Sequence, residues 1–268
     1  MGDHRSYRVE RKATCLGNGL VVTEAGVIPD YPGIRRVYHL TNAITKYYYS
    51  PFFLETQVPG YHTRVAWLGG REVAFTRDGR YCAFSSDRAR DFIPRAFFDE
   101  YPNLIVCLAI SGDGTPYATP TCNGKRAEID AWGTEVLQYG VREPLATRER
   151  YELFDKFEIK NVPHIGPLDA GDISTIIDWM RSLDESGAKG AILKPSEPHH
   201  RPLKYRLPSA QFNELLTLLE LGQGKDDLCR ARLFQACCGA NELELGVDSW
   251  DWEEVGRSFL AGLAGEVD

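Results

Sequence analysis

The residues best able to do chemistry in this chain are basic. Arg35-Arg36, Arg64, Arg77, Arg80, Lys189, Lys194 and Lys204 are spread among apolar segments. Gathered into one groove, they would hold phosphate oxygens by charge-assisted hydrogen bonds that need no metal. Scattered, they are solvated charges or partners of acids such as Glu55 and Asp78. No serine, cysteine or histidine constellation with a relay accompanies them. At Glu55-Thr56-Gln57-Val58-Pro59-Gly60, just after the strand-like run Phe52-Phe53-Leu54, the central polar residue is an amide. Its nitrogen is delocalised into the carbonyl and does not attack electrophiles. The cysteines (Cys15, Cys82, Cys107, Cys122, Cys229, Cys237, Cys238) are odd in number, with none in a Cys-x-x-Cys pair. They read as reduced thiols of a cytoplasmic protein rather than as zinc ligands, and the histidines show no metal spacing.

The elements that must position these residues are legible in outline. A chain of 268 residues with 43% hydrophobic and 26% charged residues is ordinary for a globular protein with a sizeable core. Its net charge of −7 repels nucleic acid at long range, so any RNA contact needs a local basic groove. No apolar run suits a membrane span, and the first residues lack the apolar stretch of a signal peptide. Residues 20–23, 36–40, 52–57, 64–68 and 72–76 read as strands, with Gly69-Gly70 and Asp78-Gly79 as turns. Residues 103–110 form a continuous apolar run suited to a strand buried on both faces. Thr147 is a candidate cap for a helix carrying Tyr151, Leu153, Phe154 and Phe157. A second helix places Ile173, Ile176, Ile177, Met180 and Leu183 on one face and stops near Gly187. Residues 190–194 and 203–206 read as two further strands. After Leu207-Pro208 the pattern turns helical, with Phe212, Leu215, Leu216 and Leu219 at helical spacing. A last helix over residues 250–263 would be capped by Asp248 or Ser249.

The segment at 55–60, the following Gly60-Tyr61-His62-Thr63-Arg64-Val65, then Ala74-Phe75-Thr76-Arg77-Asp78-Gly79, Lys189-Gly190-Ala191-Ile192-Leu193-Lys194 and Leu203-Lys204-Tyr205 share an order and spacing. In that order they resemble the archaeal homodimeric ATP-dependent RNA ligases of the covalent nucleotidyltransferase superfamily. Pro32-Gly33-Ile34-Arg35-Arg36 and Pro163-His164-Ile165-Gly166 fit the same pattern, so the resemblance covers roughly residues 26–208. It implies an α+β fold, a ligase adenylation domain of antiparallel sheets with flanking helices (1–208), followed by a small helical C-terminal region (209–268).

The resemblance also implies what is missing. The family attacks ATP with the lysine of a Lys-x-Asp-Gly motif and forms a lysyl-AMP. Here Gln57 stands for the lysine and Pro59 for the aspartate. Ala109 stands for a ribose-holding carboxylate, and Lys189 for the glutamate that helps bind metal. Arg64, Arg77, Lys194 and Lys204 match positions around the nucleotide phosphates, and Lys189 could contact phosphate directly. Trp132 is the nearest candidate to stack on a base, with a core role as the alternative. The expected function is therefore a pseudoenzyme that binds RNA ends, a nucleotide such as ATP or AMP, or a protein partner. It would require no cofactor and no metal. Two alternatives stand beside it: a ligase using a displaced lysine, Lys46 or Lys125, and a structural subunit with no nucleotide binding. Residues 241–245 with Trp250 and Trp252 could form a homodimer or heterodimer surface, or close the helical region on itself.

Overall fold

The computed structural model describes residues 19–47, 50–112, 128–198, 200–221, 227–248, 250–253 and 255–256. Its elements begin with β1 (Val21–Thr23), β2 (Gly26–Ile28), β3 (Arg35–Val37), α1 (Leu40–Thr45), β4 (Phe52–Thr56), β5 (Tyr61–Leu68) and β6 (Arg71–Thr76). Next come α2 (Ala83–Phe92), α3 (Arg95–Glu100), β7 (Leu104–Ser111), β8 (Asp130–Gln138) and α4 (Thr147–Lys156). The chain continues through β9 (His164–Leu168), α5 (Ile173–Glu185), β10 (Gly190–Pro195), β11 (Leu203–Arg206), α6 (Pro208–Glu220) and α7 (Asp227–Glu242). The fold is α+β, with mostly antiparallel sheets and flanking helices. Among the described residues no helix is long and apolar enough to cross a membrane.

Two compact units divide the chain. The first comprises Met1–Gly33, Val58–Pro163 and Ser196–His200; the second comprises Ile34–Gln57, His164–Pro195 and Arg201–Asp268. The change of texture at Leu207-Pro208 thus falls inside the second unit, where α6 and α7 share a body with a sheet.

The first unit is built on the four-stranded sheet β6-β5-β7-β8. The apolar run over Leu104–Ser111 is buried from Leu104 to Ile110, as a strand flanked on both sides and covered on both faces must be. Gly69 and Gly70, with φ of 57° and 81°, close the β5–β6 hairpin as a two-residue turn that side-chain-bearing residues rarely adopt. One face of the sheet packs Val65, Val106, Leu108 and Val136 against Ala89, Phe97 and Phe154 of α2, α3 and α4. The other packs Ala66, Ile105, Cys107 and Leu137 against Val21 and Ile28 of the β1–β2 hairpin.

The second unit holds the five-stranded sheet β3-β11-β10-β4-β9. Phe52, Leu54, Ala191, Leu193, Leu203 and Tyr205 fill one face, against Ile176 and Met180 of α5 and Ala43 of α1. The α5 helix ends as its glycine demands. Gly187 (φ 76°) donates to Asp184 O and Ala188 to Leu183 O, the two bonds of a Schellman cap. Its apolar face differs from expectation at one end, because Ile173 is 51% exposed in the first turn. Two carboxylates satisfy helix starts. Asp184 accepts from Ser209 N (3.0 Å) and Oγ (2.6 Å) at α6, and Glu242 accepts from Leu40 N (2.9 Å) at α1.

Two expectations are corrected, and a third falls mostly outside the described residues. The 36–40 strand ends at Val37, and Leu40 instead opens α1 with its side chain in the core. Thr147 is the first residue of α4, and the residue before it, Ala146, has no side chain able to cap. The Ser249 cap and most of the 250–263 helix lie outside the described residues.

Candidate functional site

The family-equivalent positions fall in both units, and each unit treats its own differently. In the first, Arg64 sits on the face of β5 covered by the β1–β2 hairpin and is 0% exposed. Its guanidinium donates to Pro29 O (2.5 Å), Gly19 O (2.6 Å) and Thr76 O (2.9 Å). Burial pulls its pKa below the usual guanidinium range. As placed, the side chain fastens backbone to the sheet and faces no open groove. Ala109 is fully buried opposite His62, and a Cβ on Gly60 would meet the Ala109 Cβ at 2.8 Å. Pro59 and Arg77 are exposed, the latter 5.9 Å over the Tyr31 ring. Tyr31 Oη bonds His62 Nδ1 (3.0 Å) and Thr134 Oγ1 (2.7 Å). Burial raises its phenol well above the ordinary value.

Trp132 is half-buried, so it is not a core residue. One face is already covered by the Lys160 ammonium, 3.6 Å from the ring centroid, which Asp130 holds at 2.5 Å. A base could not stack there without displacing a cation–π contact.

In the second unit the face of the five-stranded sheet opposite its core mixes charged side chains with Phe53 and Ile192. Register aligns Arg36, Lys204, Ile192, Glu55 and His164 in one row across all five strands. Alternation along a strand puts Lys194 on the same face, diagonal to Glu55. The Lys194 Nζ to Glu55 Oε2 distance is 3.2 Å, with the side chains only 3% and 2% exposed. Lys194 is thus a cation paired with an acid of β4. Spacing alone does not show it, because the partners lie on antiparallel strands far apart in sequence.

Gln57 lies just past β4. Its N–H donates to Gly190 O at 2.8 Å, and its Oε1 would be 2.8 Å from a Cβ on Gly190, which explains the glycine. That Oε1 is buried and, among the described residues, has no hydrogen-bond partner. Lys189 is exposed just before β10, and Lys204 is half-buried on β11. Lys46 is exposed at the end of α1, whereas Lys125 lies outside the described residues.

A divalent cation of the kind the resemblance implies needs converging oxygen ligands. At the position the resemblance gives to a metal-binding glutamate stands the cation Lys189, and among the described residues no group of three His, Cys, Asp or Glu side chains converges. The donors at these described positions do not fit a metal.

Residues 241–245, with Trp250 and Trp252, make contacts within the second unit. Leu243 is fully buried, Arg181 donates to Leu243 O (2.6 Å) and to Glu244 (2.6 Å), and Trp250 stacks on Phe212 at 4.3 Å.

Comparison with known proteins agrees with this architecture. No protein-family model matches the sequence. A putative ATP-dependent DNA ligase from Aquifex aeolicus superposes with a TM-score of 0.75, covering 94% of this chain and 70% of that one at 24% identity. An archaeal ATP-dependent RNA ligase superposes at 0.73, covering 90% and 66% at 25% identity. An uncharacterized protein of Methanocaldococcus jannaschii is 24% identical over 196 residues, 70% of this chain. The chain spans about half of that relative, 49% of its length. The fold is that of the ligase nucleotidyltransferases, and the chain is RNA-ligase-like in architecture.

Proposed function

We propose that this chain binds phosphate-bearing ligands, RNA ends foremost, without forming a covalent adenylate. One observation carries the reading: where a ligase of this fold would present its lysine, the end of β4 presents Gln57, its backbone bonded to Gly190. A delocalised amide is no nucleophile. Three further positions, Pro59, Ala109 and Lys189, lack the carboxylates the resemblance calls for. Binding on this reading is independent of divalent metal, because Lys189 brings positive charge where the family brings a metal ligand. ATP or AMP is a secondary ligand of the same chemistry. Association through the helical C-terminal region, as a homodimer or with an active relative, is read by light scattering on the same preparation.

The test is incubation with α-labelled ATP and Mg²⁺ or Mn²⁺, followed by denaturing electrophoresis. No labelled band is expected. A labelled band abolished by Lys46→Ala or Lys125→Ala would overturn the reading in favour of a displaced nucleophile. Titration with 5′-phosphorylated RNA, with and without EDTA, should give the same affinity in both arms. Absence of all RNA and nucleotide binding at low salt would move the chain to a purely structural role.

A further inference from the structure

We infer that the second unit carries an RNA-backbone site at its β3 edge, built by residues none of which belongs to the nucleophile segment. Arg36 of β3 and Lys204 and Arg206 of β11 line a small surface depression, bounded on its other side by Arg232 of α7. Gln211 and Gln235 add side-chain amides to the lining, and Tyr38 lies at the rim with 54% of its surface exposed.

The charge balance singles this place out. The chain as a whole carries −7, yet four cations meet here, two of them paired with Glu214. Glu214, outside that lining, is bonded to Arg206 and lies 3.4 Å from Arg232 Nε. Glu214 and Gln235, the latter accepting from Arg232 at 3.0 Å, hold two guanidiniums in place. Arg36 and Lys204 are register partners on parallel strands, which sets their backbones at a fixed spacing.

The ligand chemistry follows. Guanidiniums take phosphate oxygens in forked pairs, and amides accept or donate at sugar hydroxyls or base edges. A neighbouring exposed tyrosine offers a face for an unstacked base. Cations beside an aromatic platform are how single-stranded nucleic acid is held without sequence preference. The site therefore takes the phosphodiester backbone of a single-stranded RNA. A mononucleotide presents the same phosphate chemistry, and the test separates the two. The inference rests on the non-covalent RNA-binding reading above.

The experiment is fluorescence anisotropy of the full chain with a labelled single-stranded RNA at two salt concentrations. Arg36→Glu should weaken binding about tenfold or more, the scale of a single charge-assisted hydrogen bond. Arg36→Ala should lower the salt slope by about 0.7, the share that one neutralised phosphate contributes on a single strand. Arg36→Lys should retain most affinity, and Tyr38→Ala should weaken binding without changing the slope. Arg71→Glu, an exposed control on β6, should bind as wild type. Wild-type binding that Arg36→Glu and Tyr38→Ala leave intact would overturn the site while the non-covalent reading stands. Loss of a labelled ATP's binding in Arg36→Glu, with RNA affinity unchanged, would overturn it in favour of a mononucleotide site. No RNA binding by wild type would overturn both the site and the RNA part of the reading, while the missing adenylate would stand by itself.

Discussion

In the first unit Arg64 is enclosed and donates to three main-chain carbonyls, whereas in the second unit Arg36 stands exposed at a sheet edge beside Lys204. Lys194 is a third case, a buried cation on the sheet face opposite the core, paired with Glu55. The difference lies in what surrounds each charge. A guanidinium under a hairpin must be matched by acceptors or its burial is prohibitive, so the backbone supplies them. At a sheet edge water does that work, and the charge stays open to a ligand. Identity at a family position therefore says little about role; burial and partners decide it.

The comparison breaks first if Arg64 is not structural. Arg64→Met removes the donor from the carbonyls of Gly19, Pro29 and Thr76. Each buried acceptor left unmet costs about 1–3 kcal/mol, so the loss should approach about 4 kcal/mol. For a protein of this size that lowers the melting temperature by roughly 10 °C. Arg64→Lys, which keeps the charge but not the fork, should recover part of it. A melting shift of under about 2 °C for the methionine variant would show that these bonds do not hold the hairpin to the sheet.

Lys194 and Glu55 sharpen the same point. Removing one member of a buried pair takes the counter-charge from the other, so Lys194→Met should destabilise by about 3 kcal/mol. The double variant Lys194→Met with Glu55→Gln should recover most of that loss. Denaturant melts of the four proteins in the cycle check it. If Lys194→Met melts like wild type but loses RNA affinity and salt dependence, the lysine belongs with Arg36 and the contrast is wrong.

How far the sequence led depended on how local each signal was. The β7 strand and the Gly69-Gly70 turn were legible because an apolar run and a left-handed glycine pair each fix one local structure. The stop of α5 at Gly187 was legible for the same reason. The α2 helix was not, since among its side chains only Ser85 and Ala89 are buried, and small residues write almost no periodic signal. Leu40 opens a helix whose start is satisfied by Glu242, some two hundred residues away, which no window reveals. The site divides likewise. Gln57 and Lys189 were visible as departures from a motif. The Lys194–Glu55 pair depends on the β4–β10 register, Arg206 joins Arg36 through the β3–β11 pairing, and Arg232 reaches them from α7.

The smallest expected effect is on activity itself. Gln57→Lys puts a primary amine where the resemblance calls for one, yet it should produce no labelled adenylate with α-labelled ATP. The side chain would begin from a backbone bonded to Gly190 and a pocket where Oε1 is now buried. Nothing at Pro59, Ala109 or Lys189 would supply the carboxylates that orient ribose, bind metal and complete the motif. Ala109 is fully buried with Gly60 against it, so a carboxylate cannot simply be restored there without moving backbone. Groups that act as a unit contribute far from additively, and one restored member returns little when the others are gone. The variant should melt within about 1 kcal/mol of wild type, which keeps a negative result from meaning an unfolded protein. Robust adenylation by this single change would mean that one amide alone silences the chemistry. The losses at Ala109 and Lys189 would then be incidental, and the chain would be an RNA-ligase-like enzyme one residue from activity.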